Sequence, residues 1–77
     1  MIISEHAEEK MKKKDITKEE IERCLIDGEI IFRKIIKGEM RYVKKIELKY
    51  KKLFVIYTIR NDEERVITCY TIRKKRL

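Results

Sequence analysis

In TKEEIERCLIDGEIIFRKII, residues 17–36, the spacing of the apolar side chains changes partway along. Up to Asp27 it is helical, with Ile21, Cys24 and Leu25 on one face. Thr17 stands where an N-cap belongs and Glu20 follows three residues on, a capping box. Ile16 and Ile21 flank the cap as a hydrophobic staple. The pattern predicts a helix over 18–27, with Gly28 as a left-handed stop. Beyond Gly28 the residues are β-rich and alternate, and Lys37-Gly38 supplies a tight turn.

Upstream, Ser4 is placed to cap another helix reaching about Lys14. Glu5 and Glu8 lie early and the lysines late, as the helix dipole favours. Ala7, Met11 and Ile3 form its narrow apolar stripe, and Asp15 breaks the pattern. Downstream, EMRYVKKIELK puts Met40, Tyr42, Ile46 and Leu48 on one side, with Lys44 interrupting. Arg41, Val43, Lys45 and Glu47 fall on the other. YKK turns the chain, LFVIYTIR is apolar enough for a central strand, NDEE is a polar turn, and RVITCYTIR is a last strand before a basic tail. Sequential strands joined by short turns pair with one another. The expected architecture is α+β: two N-terminal helices packed on a four-stranded antiparallel sheet (ααββββ), one domain over residues 1–77.

Composition narrows the function. A chain of 77 residues buries only roughly 60% of its unfolded surface. Its 43% hydrophobic content therefore suffices for one sheet with a helix-covered face and no second domain. Cys24 and Cys69 lie far apart and the chain has one histidine, too few tetrahedral zinc ligands without carboxylates. Buried reduced thiols are expected, and neither metal nor cofactor. No apolar run follows the start and none approaches a membrane span, so a cytoplasmic protein without membrane contact is expected. The formal net charge of +7, from 21 Lys+Arg against 14 Asp+Glu, favours a polyanionic partner, RNA or an acidic protein. The competing explanation for such a surface is adaptation to heat.

The opening, ISEHAEEKMKKKDITKEEIERCL, resembles a family of small prokaryotic proteins of unknown function. Their signature is roughly S-x-H-A-x-x-R-M-x-x-R-x-I-T/S-x-E-E-V, met here by His6, Ala7, Met11, Ile16, Thr17, Glu19 and Glu20. In layout that family is similar to the BrnT-like and RelE/ParE-like toxins of toxin–antitoxin pairs. The final strand, with Tyr70 and Arg73, fits the same pattern. Lys10 and Lys14 stand where the signature has arginines, keeping the charge but losing the planar fork. The resemblance implies a RelE/BrnT-like fold, a metal-independent endoribonuclease acting on mRNA, RNA or the ribosome as target, and a cognate acidic antitoxin as partner.

Metal-free RNA cleavage needs a base for the 2′-hydroxyl, cations for the developing charge and an acid for the leaving oxygen. Histidine is the side-chain type that serves most readily as such a base or acid, and His6 is the one histidine of the chain. Lys10 is its i,i+4 neighbour on a helix face. With Tyr70 and Arg73 they form the candidate catalytic set, although odd spacing puts Tyr70 and Arg73 on opposite faces of a regular strand. Lys14, Arg41, Tyr57, Arg60, Lys74, Lys75 and Arg76 are the candidate RNA-binding residues. The alternative function is a non-catalytic basic module that receives an acidic partner protein or RNA. A bland reading accompanies each candidate: His6 as a surface residue, the tyrosines as core, the lysine runs as a solvated face.

Overall fold

The computed structural model describes residues 1–75. The elements are β1 (Ile2–Ile3), α1 (Glu5–Lys14), α2 (Lys18–Asp27), β2 (Glu29–Ile36), β3 (Glu39–Glu47), β4 (Lys51–Arg60) and β5 (Glu63–Arg73). The strands form one sheet in the order β1-β5-β4-β3-β2. β2 to β5 make the antiparallel meander. The expectation of four antiparallel strands is corrected by β1, which adds a short parallel edge beside β5, pairing Ile2 with Arg65 and Ile3 with Val66. Two residues carry no strand periodicity of their own, and β1 exists only because β5 offers it an edge.

The caps act as the side chains dictate. Ser4 Oγ accepts from the Ala7 amide at 3.0 Å. Thr17 Oγ1 accepts from the Glu20 amide at 3.1 Å, and the Glu20 carboxylate accepts from the Thr17 amide at 2.9 Å. Burial alone would raise the Glu20 pKa. The Thr17 amide and Lys51, whose ammonium lies 3.2 Å away, outweigh it and leave the carboxyl below its ordinary range.

Gly28 is not a left-handed stop: its φ is −71° and ψ 163°. The left-handed residue is Asp15, with φ 53°, which closes α1. Lys37 and Gly38, with φ 51° and 78°, make the tight turn between β2 and β3, and Asn61 and Asp62 repeat that pattern between β4 and β5. The β3–β4 turn lies slightly earlier than YKK, where the Leu48 amide donates to the Lys51 carbonyl at 2.8 Å.

The helices cover one face of the sheet. Ala7, Ile16, Ile21, Cys24 and Leu25 pack there on Leu53, Val55, Tyr57, Val66 and Cys69. Lys44, which interrupts the apolar side of β3, extends across this layer to donate to the Leu25 carbonyl in the last turn of α2, with its ammonium over the Tyr57 ring. A lysine at a helix C-terminus answers the orphaned carbonyls and the dipole together.

Both cysteines are buried and free. Burial pushes the Cys24 thiol up to about 11 against the opposing charge of Lys44, and raises Cys69 likewise against Lys10. Protonated, enclosed thiols are inert. In native buffer a thiol reagent is expected to modify both only as fast as the protein opens, and promptly in urea. Fast labelling of the native protein would contradict this packing.

Candidate nucleic-acid interface on the open sheet face

Alternation in β3, β4 and β5 sends every second side chain away from the helices. Tyr42, Tyr57 and Val66 point into the core, so Arg41, Thr58 and Arg65 point out. The register places these three directly opposite one another on adjacent strands, and Lys34 of β2 lies opposite Arg41. Three cations thus stand in one row across the sheet around a single threonine. Like charges directly opposite are destabilising, so Lys34 and Arg41 face each other against their own repulsion, with Arg65 one strand beyond Thr58.

Thr58 is 2% exposed despite lying on the open face, and its hydroxyl donates to the Met40 carbonyl at 2.8 Å. On either side the Nε atoms of Arg41 and Arg65 are buried and have no hydrogen-bond partner among the described residues. Arg60 is spoken for: its Nε donates to Glu39 at 2.5 Å. That hydrogen bond holds the Glu39 carboxyl below the usual range against the pull of burial, with the charges of Arg60, Arg41 and Arg65 adding to the effect. Glu39, Arg41, Thr58, Arg60 and Arg65 line a common cavity, flanked by Ile2 and Ser4 at the β1 edge.

Four residues along β3, about 13 Å at ~3.3 Å per residue, Lys45 opposes Phe54, which opposes Tyr70. The Phe54 and Tyr70 rings stack with centroids 4.6 Å apart and planes 8° off parallel. Phe54 is nearly covered, whereas Tyr70 remains 39% exposed. Phe32, Val43, Ile56 and Thr68 form the row between cations and aromatics, and Lys52 lies on the far side of the stack.

The candidate residues from the sequence are dispersed over the molecule. His6 is exposed and Lys10 half-buried on α1, in the helical layer. Tyr70 is on the open face. Pairing of β4 with β5 is regular from Tyr70 to Arg73, so Arg73 faces the other way. It ends β5 beside Lys49, Tyr50, Lys74 and Lys75. The four proposed catalytic side chains are therefore not drawn to one point by the fold. Tyr57 is 3% exposed and stacked on Tyr42 in the core, so it cannot receive a base. Lys14 is an exposed end of α1. Lys74 pairs with Glu47 at 3.5 Å. Arg41 and Arg60 do belong to the open face, while Arg76 lies outside the described residues.

Sequence reasoning missed Arg65, Phe54, Lys34, Lys45 and Lys52. The out-facing set Arg41, Val43, Lys45, Glu47 was the available signal. Its continuation onto β2, β4 and β5 needed the register.

The architecture and this face define the class: a two-layer α+β domain with helices on one side and a basic, partly aromatic sheet on the other. Among the described residues no helix is long and apolar enough to cross a membrane. A family model described as a domain of unknown function, DUF4258, matches residues 3–71, and the chain belongs to that family. Comparison with curated proteins and with solved structures finds no match.

Proposed function

We propose that the protein binds single-stranded RNA along the open face of its sheet. The observation that carries this reading is a cation row, with no ion pair at Lys34, Arg41 or Arg65 among the described residues, set beside a stacked aromatic pair on an uncovered face. Basic grooves track the phosphates, and exposed aromatic rings receive bases without regard to sequence. With some three or four phosphates contacted, log affinity is expected to fall against log salt with a slope of about −2 to −3. Tyr70→Ala is expected to weaken binding by about 5-fold or more, the contribution of one stacked base. Titration of a labelled single-stranded RNA at several salt concentrations tests both. Binding that ignores salt, or is unmoved by Tyr70→Ala, would refute the reading.

The catalytic version, a RelE/BrnT-like ribonuclease toxin, rests on the opening signature and on an exposed His6 one helical turn from Lys10. Incubating RNA with wild type and with His6→Ala, alongside expression tests for toxicity, decides it. Intact RNA in both samples leaves a binding protein only.

A partner protein is favoured by a separate observation. Among the described residues β2 has a neighbour on one side only, and it exposes Ile30, Ile31, Phe32 and Ile35 at 46–63% around Arg33 and Lys34. An apolar, basic edge suits an acidic extended segment that adds as a further strand. In a toxin–antitoxin pair that segment belongs to the acidic antitoxin. The product of an adjoining gene should then co-purify, slow amide exchange over Glu29–Ile36, and be released by Ile35→Asp. Protection located elsewhere would remove β2 as the contact.

A further inference from the structure

The cavity around Thr58 is more than a stretch of basic surface. Arg41 and Arg65 stand two strands apart, roughly 10 Å between backbones at 4.7–4.9 Å per strand. Thr58 lies between them as a buried floor. Each has a buried Nε with no hydrogen-bond partner among the described residues. A buried donor without an acceptor is costly, more so when charged. The two arginines remain there even though Lys34 stands opposite Arg41 and, among the described residues, no acid forms an ion pair with either. Glu39 is engaged by Arg60 instead.

The charge count then indicates the ligand. Three arginines and one glutamate line the cavity, a balance of +2. An internal phosphodiester carries one negative charge. A terminal phosphomonoester carries about −1.5 to −2 near pH 7, with a second pKa of about 6 and three acceptor oxygens. The Nε edge of a guanidinium can grip two oxygens of one phosphate at once. β1 adjoins the cavity with Ile2 and Ser4 and bounds it at the sheet edge, as suits the end of a strand.

We infer that the Arg41–Arg65 cavity binds a terminal phosphomonoester, so that the protein recognises the phosphorylated end of an RNA strand. This rests on the RNA-binding reading and adds to it a preference for one kind of end. Binding by the open face then orients the strand, with the phosphate at the arginines and the following nucleotides running toward Tyr70.

The test compares short RNAs of one sequence bearing a 5′-phosphate, a 3′-phosphate or hydroxyls at both ends. One phosphorylated form is expected to bind about 10-fold or more tightly than the hydroxyl-ended RNA, the effect of one or two charge-assisted hydrogen bonds. The preference should shrink between pH 7.5 and pH 5 as the phosphate gains its second proton. Arg41→Gln and Arg65→Gln should abolish it. Arg65→Lys, which keeps the charge without the fork, should reduce it. Tyr70→Ala should weaken all three RNAs while preserving the ratio. Equal affinity for the three RNAs overturns the inference and leaves RNA binding standing. A preference that survives Arg41→Gln and Arg65→Gln overturns it as well. If no RNA binds but inorganic phosphate shifts the Nε resonances of Arg41 and Arg65, end recognition fails together with the RNA reading, and an anion site remains.

Discussion

Replacing Gly28 by alanine should destabilise the protein by about 2–3 kcal/mol, the upper range for overpacking a tight site. A Cβ added there would sit 2.4 Å from the Cys24 carbonyl oxygen, 2.9 Å from that of Lys45 and 3.2 Å from Cys24 Sγ. The first two are backbone atoms, one in the last turn of α2 and one in β3, so neither can swing aside. The alanine must push the helix end away from the sheet or break the link between them. For a domain of this size the melting temperature should fall by about 10–20 °C, read by circular dichroism and checked by urea unfolding. Two controls separate this cause from a helix-stop role. Gly28→Asn should be at least as damaging, although asparagine tolerates left-handed backbone, because Gly28 already has an ordinary φ of −71°. Gly38→Ala should cost only about 1 kcal/mol of backbone strain, since Gly38 has φ +78° but nothing within 4 Å of its would-be Cβ. A harmless Gly28→Asn would disprove the close-approach explanation.

The second large effect is expected at the cation row. The double substitution Arg41→Gln with Arg65→Gln should weaken single-stranded RNA binding by about 30-fold or more, from two lost charge-assisted contacts. It should also raise stability. The row sets Lys34 directly opposite Arg41, with Arg65 beyond Thr58 and, among the described residues, no ion pair at Arg41 or Arg65; like charges directly opposed on a sheet cost a few tenths of a kcal/mol to about 1. Removing two of them should raise the melting temperature by about 4 °C. Binding lost while stability rises is the mark of residues kept for a ligand at the fold's expense. Stability lost in the double variant would assign the arginines to the architecture instead.

Much of the fold was legible because its signals are local. The capping box at Thr17 and Glu20, the break after Asp27 and the two tight turns each depend on residues a few positions apart. Lys44 was legible as an anomaly on the apolar side of β3, but its purpose was not, because the Leu25 carbonyl it reaches belongs to a different layer. Gly28 was read at the right place for the wrong reason: its spacing marks a helix end, whereas the crowding that demands glycine comes from β3. Of the candidate site, Arg41, Arg60 and Tyr70 reached the open face. Tyr57 did not, since the alternation of a nearly continuous apolar strand does not say which side the helices will cover. Tyr70 and Arg73 face opposite ways as their spacing implies, because the strand runs through both without a bulge.

The amino-acid order alone determined the succession of helices and meander strands and the basic character, because periodicity, caps, turns and net charge are properties of neighbours along the chain. Tertiary structure decided which face the helices cover, that Ile2–Ile3 becomes a strand, and that Arg41 and Arg65 converge on Thr58. Those outcomes depend on strand register, and register is set by packing between segments distant in sequence.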